Sequence, residues 1–187
     1  MSEQEQTQMN EENNVEDKSE SKGNVMREIS IEKVIVSCGG IKEELEKSVK
    51  LLEKLSGRKV SRRLTTKRIP GFAIRPQMEI GCMVTLRGEE GIELLKRLLA
   101  AIENTLSEKQ ITNNHFSFGI HEYIEIPGEK YDRDIGLTGL QATVVFSRKG
   151  KRVARKKIKR GKLPKRQDVL KEEIIKYMED NFGTEVE

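Results

Sequence analysis

Apolar positions along this chain switch between two periods. From Ile29 the run "ISIEKVIVSC" partly alternates polar and apolar residues, which predicts a strand ended by Gly39-Gly40. The following "IKEELEKSVKLLEKLSG" spaces Leu45, Val49, Leu52 and Leu55 helically and places Gly57 at the stop. Alternation returns in "MEIGCMVTLRG", where Ile80, Cys82, Val84 and Leu86 share one face of a second strand. A second amphipathic helix is expected over about 88–106, with Ile92, Leu95, Leu99 and Ile102 inward. "HFSFGIHEYIEI" and "LQATVVFS" read as two more strands, separated by the turn-rich "PGEKYDRDIGLTG", Pro127 to Gly139. A last helix over about 167–181 carries Val169, Leu170, Ile174 and Tyr177 or Met178 on one side. The order β, α, β, α, β, β, α predicts an α+β fold: a two-layer sandwich, a mainly antiparallel sheet with helices on one face.

Two segments fit neither period and are cationic instead. Residues 58–75 form a basic loop that contains "SRRLTTKRIPGF", with Arg62, Arg63, Lys67 and Arg68 and no acid. Residues 148–166, "RKGKRVARKKIKRGKLPKR", hold twelve Lys and Arg among nineteen residues and again no acid. The opposite bias marks the start of the chain, where seven acids from Glu3 to Glu20 stand among Gln, Asn and Ser with little to bury. Residues 1–25 are therefore expected to be a disordered acidic tail, and residues 26–187 a single domain. The whole chain is +4, but the first 26 residues hold seven acids and two cations, which leaves the remainder at +9. Polyanions are natural partners for such a domain.

Several function classes find no support. No apolar run approaches the roughly 18 residues of a membrane helix, and no basic-then-apolar leader opens the chain, so a soluble intracellular protein is expected. Cys38 and Cys82 sit in β-forming runs and read as buried thiols. His115 and His121, near Glu122 and Glu125, lack a third well-spaced ligand, so no metal or other cofactor is implied. "CGGIKEE" resembles a phosphate-cradling turn only superficially. It lacks the spaced glycines of a dinucleotide fingerprint and the Gly-Lys-Ser/Thr of a P-loop, and Glu43 and Glu44 are ordinary partners of a helix N-terminus. Without a convergent acid, base or nucleophile, an enzyme is not expected.

Clustered cations that exclude acids suit nucleic-acid phosphates, because each contact releases counterions. No helix-turn-helix, zinc-finger or basic-zipper pattern is present, and the aromatic-basic strand signature of single-strand readers is missing. A folded, largely A-form RNA read by shape and backbone is the better substrate.

The run "RIPGFAIRPQMEIGCMVTLRG", Arg68 to Gly88, resembles the central motif of the universal large-subunit ribosomal protein family that binds 5S rRNA, called L five in bacteria and L eleven in eukaryotes. "MREISIEKVIV" is similar to that family's first strand, "LLEKLSGRKVSRRLTTKR" to its first helix and next loop, and "FSFGIHEYIEIPGEKYDRDIGLTGL" to its long loop. The tail from "RVARKKIKRGKLPKR" onward resembles archaeal members most closely. The resemblance spans Met26 to Val186. It implies a structural constituent of the large subunit in the central protuberance, cytoplasmic and ribosome-bound. The implied partners are 5S rRNA, large-subunit rRNA, P-site tRNA and a second 5S rRNA-binding ribosomal protein. The implied 5S contact falls on Ser37, where the family usually has Asn, Arg58, where it usually has Gln, and on Phe72 and Thr85, with Arg75 and Arg87. The family's loop toward the tRNA maps onto Arg62, Arg63, Thr65, Thr66, Lys67 and Arg68, so removing Arg62 and Arg63 is expected to spare 5S binding. The second run is a candidate for large-subunit rRNA through Arg148, Lys149, Lys151, Arg152, Arg155, Lys156, Lys157, Lys159, Arg160, Lys162, Lys165 and Arg166. The alternative is a free-standing RNA-binding regulator or ribosome assembly factor, which a sucrose gradient would place outside large subunits.

Overall fold

The structure, a computed structural model, describes residues 24–186. The expected acidic tail, apart from its last two residues, lies outside the described residues. Strand β1 (Ile29–Gly39) leads to helix α1 (Glu43–Ser56), the short strand β2 (Ser61–Leu64), strand β3 (Glu79–Leu86) and helix α2 (Glu89–Ala101). After these come β4 (Thr105–Leu106), β5 (Ile111–Thr112), β6 (His115–Ile120), β7 (Leu140–Arg148), α3 (Arg152–Arg155), α4 (Lys171–Phe182) and β8 (Glu185–Val186).

Six strands form one sheet in the order β2-β3-β1-β7-β6-β5. Every neighbouring pair is antiparallel. β4 and β8 make a separate parallel pair that ties the C-terminal end to the segment after α2.

Register explains the layering. Val36 lies opposite Val84 on one side and Ala142 on the other, and Ala142 lies opposite Phe118. All four are buried, as are Val34, Leu86, Val144 and Phe116 one row away. Directly paired residues share a face, so these rows form one apolar face, against which α1 and α2 pack. Leu45, Val49, Leu52 and Leu55 of α1 are buried as the spacing predicts. Helix α4 adds Ile174 and Met178, and Tyr177 meets Phe146 edge-on at 5.6 Å between centroids. The result is the expected α+β sandwich with helices on one face.

Turn chemistry fits these packings. Gly40 follows β1 with its Cα so close to α1 that a Cβ there would come within 3.0 Å of the Glu44 carbonyl carbon and the Leu45 nitrogen. Gly57 closes α1 with φ of 61°, its N–H donating to Glu53 O at 2.8 Å. The loop over Pro127 to Gly139 is tied to the helical layer. Half-buried Glu129 accepts Arg97 at 2.7 Å and pairs with Lys54 at 3.7 Å, while the Asp132 N–H donates to the Tyr123 hydroxyl at 2.7 Å.

Some elements differ from expectation. Helix α2 ends at Ala101, because Glu103 and Asn104 take φ of 55° and 57° and turn the chain into β4. The strand expected in "HFSFGIHEYIEI" stops at Ile120, and Tyr123–Glu125 is a 3-10 turn. The last helix begins at Lys171 rather than near Gln167, and Leu170, expected inward, is exposed. Strand β2 and helix α3 were not expected at all. Cys38 and Cys82 are buried free thiols facing each other across β1 and β3. No helix among the described residues is long and apolar enough to cross a membrane.

Candidate nucleic-acid interface

The face of the sheet opposite the helices is open. Its rows are Lys33, Ile35 and Ser37 of β1, Met83 and Thr85 of β3, Gln141, Thr143 and Val145 of β7, and Ser117 of β6, assigned by the register that buries their neighbours. Ser117 Oγ and Thr143 Oγ1 hydrogen-bond at 3.0 Å. Across these rows the side chains are hydroxyls, an amide, a lysine and apolar groups, with no carboxylate before Glu79 at the rim. Such a surface donates and accepts hydrogen bonds without repelling phosphate. Beyond its Gly39 end lies a cleft of about 430 Å³ lined by Ser37, Gly39, His121, Gly139 and Gln141.

Two of the four family positions meet here. Ser37 lies opposite Met83, and Thr85 lies two residues further along β3, opposite Ile35. Arg58 and Phe72 stand apart from them. The Arg58 guanidinium pairs with Glu90 at the start of α2 at 2.5 Å. Phe72 precedes β3, in a loop at the Glu79 end of that strand, which is about 20 Å from Thr85 along its length. Arg87 is exposed just past β3, and Arg75 belongs to the loop.

That loop has a built neck. The Thr65 N–H donates to Met78 O at 2.9 Å and the Gln77 N–H donates to Thr65 O at 2.7 Å. Thr65 is buried, and its hydroxyl donates to Lys67 O at 2.9 Å. Thr65 therefore shapes the loop, and Thr66, Lys67, Arg68 and Arg75 are the exposed members. Further out, Ile69 and Ile74 exchange two backbone hydrogen bonds of 3.1 Å around the 3-10 turn Pro70–Phe72. Phe72 rides at that tip, 72% exposed. An aromatic ring so presented is suited to stacking on a base.

Arg62 and Arg63 belong to an edge strand rather than to the loop, and they separate. Arg62 lies opposite Cys82 and donates to Glu79 at 2.9 Å, with Glu46 and Glu53 of α1 also in its field; the Glu79 contact raises its pKa further. Arg63 lies opposite Gly81, on the open face, where its Nε reaches the Met83 sulfur at 2.6 Å. Arg63 thus joins the surface of Ser37 and Thr85, contrary to its grouping with the tRNA loop.

The second cationic run starts as the end of β7 and continues through α3. Its first half is ion-paired to the folded domain. Arg148 donates to both oxygens of Glu173 at 2.5 and 2.6 Å, Lys149 pairs with Glu28 at 2.6 Å, and Lys151 and Arg155 both pair with Glu32. Burial alone would raise the Glu32 pKa, but Lys151, Arg155 and nearby Lys33 outweigh it and hold the carboxyl below its usual range. Arg152, Lys156, Lys157, Lys159, Arg160, Lys162, Lys165 and Arg166 have no acid partner among the described residues. Three groups of cations that the sequence presents alike thus differ: paired, unpaired, and on the sheet face.

Lys33, Ser117, Gln141 and Thr143 are interface candidates that the sequence reading missed. Their signal was available as the other half of the alternation in β1, β6 and β7. Among the described residues no three His, Cys, Asp or Glu side chains cluster to hold a metal.

Comparison with known proteins gives this geometry its context. A model of the C-terminus of the ribosomal L five P family matches residues 79–177. The chain is 43% identical over 164 residues to large ribosomal subunit protein uL5 of Nanoarchaeum equitans, a match covering 86% of this chain and 97% of the relative. The protein of the same name from Methanosphaera stadtmanae is 38% identical over 167 residues, covering 88% and 99%. That from Archaeoglobus fulgidus is 39% identical over 166 residues, covering 88% and 93%.

Proposed function

The chain belongs to the uL5 family of large-subunit ribosomal proteins, and from that premise we propose that its open sheet face holds 5S rRNA in the central protuberance. Membership makes it a structural, ribosome-bound constituent of the large subunit with rRNA as partner, and not an enzyme. The observation that carries the 5S assignment is the carboxylate-free face on which Ser37, Thr85 and Arg63 converge. Hydroxyls and an amide there suit ribose hydroxyls and base edges of a shallow A-form groove. Thr66, Lys67 and Arg68 reach out on the loop toward P-site tRNA, while Phe72 and Arg75 of the same loop add contacts to 5S rRNA. Arg58 and Arg87, at the far end of β3, contact the 5S backbone, and the unpaired cations of 148–166 sit on large-subunit rRNA. The second 5S-binding ribosomal protein completes the assembly through the shared RNA.

Binding of the full chain to 5S rRNA and to a length-matched unrelated folded RNA, between about 50 and 200 mM salt, tests this reading. A preference for 5S rRNA that survives the added salt is expected, since shape contacts release few counterions. Equal affinities falling together would show that only the cationic runs bind and would overturn the sheet-face assignment.

A further inference from the structure

Glycines gather at one end of the open face. Gly39 lies opposite Gly81, and Gly119 lies opposite Gln141. The alternation that buries Cys38, Cys82 and Phe118 puts these three glycines on the open side. Gly139, just before β7, lines the cleft of about 430 Å³ there together with Gly39. Two of the four have a cause within the fold. A Cβ on Gly139 would stand 2.7 Å from His121 O, and one on Gly81 would stand 3.1 Å from Cys38 O. The other two have none. A Cβ on Gly39 or Gly119 meets nothing within 4 Å, and neither residue takes a positive φ. Glycine weakens a strand, and one kept in a strand without an internal cause marks a surface that a ligand approaches closely.

Polar side chains border this bare floor. Ser37 lies directly opposite Gln141, and His121 lines the same cleft. Ser117 and Thr143, on the same face, satisfy each other at 3.0 Å. The Ser37 hydroxyl, the Gln141 amide and the His121 ring have no hydrogen-bond partner among the described residues.

We propose that the glycine floor seats one unpaired adenine of the RNA, an inference that deepens the reading of the open face as the 5S rRNA site and rests on it. A planar ring lies flush on peptide backbone where no Cβ projects. A glutamine amide sets one donor beside one acceptor, which match N7 and the N6 amino group of adenine. Guanine presents two acceptors on that edge, and the pyrimidines lack the pair. His121 adds a ring on which the base can stack. The adenine must be unpaired, because in an A-form helix this edge faces a deep, narrow groove that side chains do not read.

The test measures binding of the full chain and of its Gly39→Ala, Gly119→Ala and Gln141→Leu variants at about 150 mM salt. The RNAs are 5S rRNA, 5S rRNA transcribed with 7-deazaadenosine, which lacks N7, and a length-matched unrelated folded RNA. Both glycine variants should melt no lower than the parent, since the added methyl meets nothing, yet bind 5S rRNA about tenfold more weakly. The parent should lose about tenfold on the 7-deaza RNA, and Gln141→Leu should bind both forms of 5S rRNA with the same reduced affinity. Parental affinity in either glycine variant would overturn the proposal. So would a 7-deaza loss that is absent from the parent or undiminished in Gln141→Leu. In these cases the parent's preference for 5S rRNA over the unrelated RNA still stands. Absence of that preference would overturn the underlying 5S reading as well, so the two failures are distinguishable.

Discussion

Neutralising unpaired cations of the second run should change RNA binding in a way that neutralising paired ones does not. The first variant is Lys156→Gln/Lys157→Gln/Arg160→Gln, three residues with no acid partner among the described residues. The second removes both ion-pair clusters whole: Glu28→Gln, Glu32→Gln, Lys149→Gln, Lys151→Gln and Arg155→Gln. Removing acids with bases strands no charge, and exposed pairs contribute only about 0.2–1 kcal/mol each, so both variants should fold. Each phosphate contact contributes about 0.7 to 0.9 to the slope of log K against log salt. Losing three contacts therefore lowers the slope by about 2 to 3, and a fourfold rise in salt then weakens the first variant about thirtyfold less than the parent. The second variant should keep the parental slope to within about one contact. Fluorescence anisotropy on a labelled large-subunit rRNA fragment from about 50 to 200 mM salt reads both. A loss of slope in the second variant equal to that in the first would refute the division of the run into quenched and available halves.

Three further outcomes follow from the packing. Arg63→Ala should weaken 5S rRNA binding by about 1–2 kcal/mol, as for a lost charged hydrogen bond, whereas Arg62→Ala should leave it within about twofold; both are read by filter binding. Leu95→Ala, at a fully buried site of α2, should cost about 2–5 kcal/mol in urea unfolding. Glu32 ionises below its usual range in the folded chain, so its contribution, about 1 kcal/mol, is complete above the ordinary carboxylate pKa and is lost as pH falls through the lowered one. The difference in melting temperature between the parent and Glu32→Gln should therefore be present at neutral pH and vanish in acid.

The strongly periodic elements were legible in the sequence. Alternation placed Cys82, Val84 and Leu86 inward, and the helical spacing of Leu45, Val49, Leu52 and Leu55 holds residue by residue. β2 was not legible, because all four of its residues are exposed and its strand state comes from pairing with β3. That omission also hid the separation of Arg62 from Arg63, which a loop reading treats as equivalent. Helix α3 has no apolar period; the cations in and just before it are tied to Glu28 and Glu32, more than a hundred residues away in sequence. The parallel β4–β8 pair and the early end of α2 are likewise long-range outcomes, since Leu106 is held by a partner strand at the other end of the chain. For the candidate site, the resemblance supplied Ser37 and Thr85, whose common face follows from register alone.

If both ends of the sheet grip RNA, as proposed, β1 makes the protein a gauge of distance. Because one strand links the end bearing the Phe72 loop to the end bearing Arg148, neither grip can move independently by more than the sheet can flex. Two RNA elements held at the matching spacing are bound with the avidity of a rigid bivalent ligand, whose second contact follows the first without a fresh search. On that reading, at any other spacing one grip stays empty, and an incorrectly folded rRNA held by one end only is released sooner. On the proposed reading, strand length, independently of any base contact, becomes a criterion of correct assembly.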